Sequence, residues 1–214
     1  MRHLRAVDTQ SSGQCIAEFD QVFEDNPDSL QLVHQYDAPP ELSFLLNEFF
    51  NTDFSRCYLA LRSLIRCDVD ALWPLIQEVW QEKGCNDYGA HYFILHLFGL
   101  RSDWSNTALS TIETLLREAI DNQRPQFRKS RPLGILSFSL LFPGQFLDHC
   151  QSWMSSEAMP VWECRYVCWL ALERICRELP PAQRSRSFEA FSDQVDSEPL
   201  VQLRQQQFLQ SQSA

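Results

Sequence analysis

The residues with most chemistry in this 214-residue chain are its eight cysteines and five histidines. Cys164 and Cys168 stand four apart, which puts both on one face of a helix. Cys176 follows two turns later, and His149-Cys150 lies upstream. Four such ligands suit a tetrahedral zinc ion. The paired Cys-x-x-Cys knuckles that usually build such sites are missing, so the thiols read as small core residues. They are expected to be reduced, because a chain this large and apolar folds without disulfide staples. His91 and His96 are five apart, which on a helix points them about 140° from each other, not along one face as in a two-histidine metal helix. One is expected at the surface and one in a hydrogen-bonded interior. No G-x-S-x-G elbow, Walker loop or G-x-G-x-x-G occurs, and no Cys or Ser has a His in a recognisable catalytic setting. Asp68, Asp70 and Asp103 stand where helix caps stand. The expectation is therefore no catalytic residue, no metal and no cofactor.

Two charged groups remain as binding candidates. Arg124, Arg128, Lys129 and Arg131 surround Phe127 in the one basic cluster. Guanidinium groups beside an aromatic ring can grip a phosphate or an acidic peptide. Alternatively, the cluster is a linker whose charges complement the C-terminal end of the helix before it. The net charge is −10, and residues 1–100 carry 15 acidic against 6 basic side chains. Such a field repels nucleic acid and anionic membrane and steers basic partners inward, although solubility alone also accounts for it. Glu41 and Glu48, on the polar side of a helix striped by Leu42, Leu45, Leu46 and Phe49, are the acidic residues expected to meet a basic protein.

The elements that position these residues are helices. Val161–Leu179 is apolar almost all round, leaving a narrow polar strip of Glu163, Glu173, Arg174, Arg177 and Glu178. A helix with so wide an apolar surface has to be covered on most sides, so this segment is expected to be the central buried helix. Amphipathic patterns predict further helices over Gln14–Asp25 and from Leu42, Phe54, Leu72, Leu109 and Phe146 onward, with a short segment carrying Leu30, Val33 and Tyr36 after the first and a strongly apolar one over Asn86–Phe98. Residues 122–132 read as a loop. Ser137 and Ser139 alternate with apolar residues as in a strand, but a lone strand among helices would leave its backbone unpaired, so Leu133–Phe142 is read as helix. Phe188, Phe191 and Val195 lie on one helix, and a glutamine-rich helix follows Pro199. With short connections throughout, the series predicts an all-α chain of antiparallel helix pairs. The N-terminus lacks the apolar core of a secretory signal, and no apolar run is long enough to cross a bilayer, so a cytoplasmic chain is expected.

Comparing the chain with itself shows an internal repeat. The run Cys57-Tyr58-Leu59-Ala60-Leu61 matches Cys168-Trp169-Leu170-Ala171-Leu172, Tyr92–Phe98 fits the same frame, and Gly134–Phe138 fits it more loosely. With Tyr58, Tyr92, Leu133 and Trp169 as equivalents, the spacings are 34, 41 and 36 residues. On helix pairing and period, residues 40–180 resemble the HEAT-like family of α-helical repeats. The resemblance implies a short right-handed superhelix of stacked pairs, a single domain over 1–214 with frayed ends at 1–12 and 208–214, and a concave surface used mostly to hold proteins. Some HEAT-like proteins instead bind DNA or act on tetrapyrroles. The function expected from charge and fold together is a non-enzymatic module that binds another protein with a basic surface, such as an acidic inhibitor or immunity-type protein. The alternative is an enzyme or a cofactor- or small-molecule-binding protein on the same scaffold. Neither nucleic acid nor membrane is expected as a partner.

Overall fold

The computed structural model describes residues 42–50, 54–84, 87–179 and 196–212. The helices expected over Gln14–Asp25 and Phe188–Val195, and the short segment carrying Leu30, Val33 and Tyr36, lie outside those residues. Every element among the described residues is helical, in keeping with the all-α expectation. The chain divides into two compact units, Met1–Leu115 and Leu116–Ala214. In chain order the helices are α1 (Leu42–Phe49), α2 (Phe54–Leu64), α3 (Val69–Val79), α4 (Tyr88–Leu100), α5 (Asn106–Asp121), α6 (Ser130–Leu141), α7 (Pro143–Met154), α8 (Trp162–Glu178) and α9 (Pro199–Gln212). The boundary between the units falls within α5.

The helices alternate in burial, an arrangement compatible with a helical repeat. The odd-numbered helices α3 and α7 bury one stripe each, Leu72 and Ile76 in the first and Phe146, Cys150 and Met154 in the second. The even-numbered helices α4, α6 and α8 are buried nearly all round. In the first unit α2 packs on α1 and on α4; in the second α8 packs on α6, α7 and α9. Tyr58, Tyr92, Leu133 and Trp169 fall on α2, α4, α6 and α8, every second helix in chain order.

Local chemistry explains where these helices start. Asp68 Oδ1 accepts from the Ala71 N–H at 2.9 Å, Asp87 Oδ1 from Ala90 at 3.0 Å, and Ser105 Oγ from Ala108 at 3.2 Å. Each satisfies an amide that the helix itself cannot. α6 begins at Ser130, two residues before Pro132 and inside the stretch that reads as a loop. Proline is tolerated in a first turn because its missing N–H would have no partner there. Gly134 lets α6 lie close to the end of α5. A Cβ at that position would come within 3.2 Å of Ile120 Cγ1.

Three buried arginines tie together helix ends and the loop before α8. Arg101 Nη1 donates to the carbonyls of Leu64 and Cys67, both at 2.8 Å, and its Nε and Nη2 hold the Asp103 carboxylate at 2.9 and 2.6 Å. Arg131 Nε donates to the Ile120 carbonyl at 2.7 Å, and its Nη2 meets Met159 Sδ at 3.0 Å. Arg165 Nη1 donates to the carbonyls of Met159 and Pro160, while Nε and Nη2 grip Asp196 in a two-pronged bond. Carbonyls at a helix C-terminus lack intrahelical donors, and a guanidinium supplies several at once.

Candidate functional site

The residues singled out by sequence fall into separate places. Glu41 lies outside the described residues. Glu48 is largely covered and its carboxylate meets Arg56 at 3.4 Å, so its charge is partly spent within the fold. Arg124, Arg128 and Lys129 are exposed around the short 3-10 turn Pro125–Phe127. Arg128 spans to Glu163 at the start of α8, Nη2 lying 3.0 Å from both carboxylate oxygens. Arg131 is buried and holds the end of α5, so it does not join the other three in solvent. The basic cluster of the sequence is thus divided by the first turn of α6.

The histidines of α4 are both buried, which corrects the expectation of one at the surface; α4 is covered on nearly every side. Burial lowers His91 to about 4, so its ring is neutral at ordinary pH, and it lies against Trp80 at 5.1 Å. The rings of Tyr88, Tyr92 and His96 follow one another along the same helix at 5.8 and 6.4 Å. Burial, then Tyr92, pushes Tyr88 up to about 12.

Cys150, Cys164, Cys168 and Cys176 are free thiols buried in the second unit. Burial pushes Cys150 up, helped by neighbouring Cys176, and pushes Cys168 well up, helped by Cys150 and Cys164. Burial likewise raises Cys164 to about 12, against the pull of Arg131. Thiols held protonated in this way are poor nucleophiles and poor metal ligands. Among the described residues no group of three or more His, Cys, Asp or Glu side chains is placed to hold a metal ion. His149 meets Arg117, Phe138 and Trp153.

Its partners form a cluster that no sequence motif announces. Arg117 on α5 lies with Nη1 2.9 Å from His149 Nε2 on α7. A guanidinium only donates, so Nε2 accepts and the ring proton sits on Nδ1. Arg117 also lies over the Phe138 ring of α6, 4.9 Å from its centre. His149 stacks on Trp153 at 5.4 Å and 24°, and Trp153 meets Phe138 edge-on at 5.4 Å. Phe138 is buried, whereas Arg117, His149 and Trp153 are half-exposed. Three helices therefore bring a guanidinium and three rings together at a half-exposed spot. The only signal in the sequence is the i,i+4 spacing of His149 and Trp153, which stacks flat side chains along a helix.

No family model and no solved structure matches the chain. It is 34% identical over 216 aligned positions, 99% of its length, to the Bilin biosynthesis protein CpeY of Synechococcus sp. (strain WH8020), of which it covers 51%. It is 33% identical over 150 positions, 70% of its length, to the Uncharacterized phycocyanin operon protein Y of Pseudanabaena tenuis (strain PCC 7409), of which it covers 34%. The chain thus spans about half the length of the first relative and a third of the second. These relatives overturn the expectation of a non-enzymatic binding module acting as an acidic inhibitor or immunity-type protein. An acidic surplus names no partner by itself, because solubility produces the same surplus and local pairs such as Glu48–Arg56 consume part of it. No helix among the described residues is long and apolar enough to cross a membrane.

Proposed function

We propose that this chain takes part in bilin biosynthesis, holding an open-chain tetrapyrrole on a helical-repeat scaffold while the pigment is processed or passed to a protein. The reading rests on one observation, the likeness of nearly the whole chain to a protein named for bilin biosynthesis. It is the enzyme or small-molecule-binding alternative of the sequence. In this reading the protein partner is a bilin carrier of the phycocyanin type, the class named in the second relative, and the work is done in the cytoplasm. A repeat scaffold suits the task, because stacked helix pairs offer an extended surface to a long, flexible ligand.

The test is a titration of the purified chain with a bilin, followed by visible absorbance and circular dichroism. A bilin in water is flexible, and a protein that fixes it imposes one handedness on the chromophore. Saturable binding with an induced dichroic band is expected, strengthened or unchanged when apo-phycocyanin is present. An unaltered spectrum both with and without apo-phycocyanin would remove bilin handling from consideration.

A further inference from the structure

We infer that the start of α6 is a carboxylate subsite, where Arg128, Lys129 and the first turn at Ser130 receive a propionate of the open-chain tetrapyrrole; this rests on the bilin reading above. α6 begins at Ser130 behind Lys129, and no side chain caps it. The first amides of a helix have no partner inside it, and their dipoles point outward at an anion. Pro132 brings no N–H to this turn, so the amides of Ser130 and Arg131 are the donors it offers. Two cations stand directly before them. Arg128 is 54% exposed and gives Nη2 to Glu163, leaving Nε and Nη1 open among the described residues. Lys129 is exposed and forms no ion pair there. Each open guanidinium nitrogen is a charge-assisted donor, and Lys129 adds a mobile point charge. The Arg128–Glu163 bridge and the buried ring of Phe127 hold the turn, so less freedom is lost when a carboxylate docks.

A second feature of the same turn points to a ligand. The Ser130 hydroxyl is fully buried and has no hydrogen-bond partner. A buried hydroxyl without a partner costs stability, and a ligand oxygen that reaches it recovers that cost. The cover over Ser130 has to shift for this to happen, which makes the hydroxyl the last contact formed. The other uncapped starts in this unit lack the combination. α7 opens on Pro143-Gly144-Gln145 without a charge, and α8 carries Glu163 in its first turn.

The experiment titrates the wild-type chain and its variants with a bilin and with the bilin's propionate dimethyl ester, which keeps the conjugated rings and lacks the charges. The wild type should prefer the free acid by about tenfold, the scale of one charge-assisted hydrogen bond. Arg128→Gln and Lys129→Gln should each reduce that preference and leave the ester unchanged. Glu163→Gln should increase it, because Nη2 is released and a negative charge removed. Ser130→Ala should reduce it while its thermal midpoint stays level or rises, since an unsatisfied buried hydroxyl is lost. Far-ultraviolet circular dichroism reports whether each variant is folded; if Arg128→Gln or Lys129→Gln misfolds, Ser130→Ala and Glu163→Gln decide. Equal binding of acid and ester by the wild type, or a preference kept in Arg128→Gln and Ser130→Ala, overturns the subsite and leaves the bilin reading standing. A loss in Glu163→Gln matching that in Arg128→Gln also overturns it, as the mark of an ion pair that only braces the turn. Weakened binding of apo-phycocyanin by Arg128→Gln, with the bilin preference intact, assigns the turn to the partner's carboxylates and overturns the subsite as well. Failure of the wild type to bind either ligand removes the reading and the subsite together.

Discussion

Arg101 in the first unit and Arg165 in the second perform the same task in different surroundings. Each donates one guanidinium nitrogen to two carbonyls and two nitrogens to a carboxylate. Their carboxylates differ. Asp103 is two residues away and 58% exposed, whereas Asp196 is 31 residues away and 6% exposed. Hydrogen bonding by Arg101 holds Asp103 below the usual carboxylate range. Burial pushes Asp196 up, but hydrogen bonds from Arg165 and from the Glu198 and Ser197 backbone more than reverse it. The lesson is that geometry alone does not rank ion pairs. A carboxylate in water is replaced by water when it is removed, while a buried one leaves its partner stranded.

The largest predicted effect follows from that difference. Asp196→Ala should destabilise the second unit by about 3–5 kcal/mol, because it leaves the Arg165 charge buried without its counterion. Urea unfolding followed by circular dichroism measures it, and a loss under about 1 kcal/mol would show that water reaches Arg165. Core packing should treat the two units more evenly. Leu61 on α2 and Leu172 on α8, equivalent in the repeat and both fully buried, should each cost about 2–5 kcal/mol on replacement by Ala. A midpoint barely moved by Leu172→Ala would place α8 at a surface rather than at the centre of its unit.

Acid offers a graded version of the first experiment. A carboxylate whose folded pKa is depressed adds stability that is fully present above its unfolded value, about 4, and is lost as pH falls through the lower folded value. Both aspartates have this sign. Stability should therefore be level near neutrality and decline below about pH 4, with part of the decline abolished in Asp196→Asn. An acid limb identical in wild type and variant would contradict the assignment. The smallest effect is expected of Asp103→Ala, about 1 kcal/mol or less at neutral pH, because solvent screens that pair. A cost equal to that of Asp196→Ala would erase the distinction between the two clamps.

The helices were far more legible in the sequence than the site. Apolar periodicity identified the buried helix at 162–178 and the stripes of α3 and α7, because burial writes itself directly into spacing. The argument against a lone strand correctly kept α6 helical. Its alternating serines are absorbed inside, Ser139 Oγ donating to the Leu136 carbonyl and accepting from Arg174. Composition misled where long side chains fold back. Arg131 reads as one of a basic loop, yet the tertiary structure offered it a helix-end carbonyl. Asp103 stood as a possible cap, and Ser105 took that place while Asp103 served Arg101. The Arg117–His149–Trp153 cluster draws on α5 and α7 and rests on Phe138 of α6. No one-dimensional pattern brings residues 32 and 36 positions apart to the same spot.

The thiols packed around α8 carry a consequence for measurement. A protonated sulfur sealed between helices reacts only when the helices part, so its modification rate is the fraction of time spent open multiplied by the intrinsic rate of an exposed cysteine. Cys150, Cys164, Cys168 and Cys176 thus make the second unit its own clock, read by mass spectrometry without any added label in the structure. Cys67, half-covered in the first unit, ticks faster and sets the scale. A ligand that holds the second unit closed would slow the first set of sulfurs and leave Cys67 unchanged, turning occupancy into a difference between two reaction times.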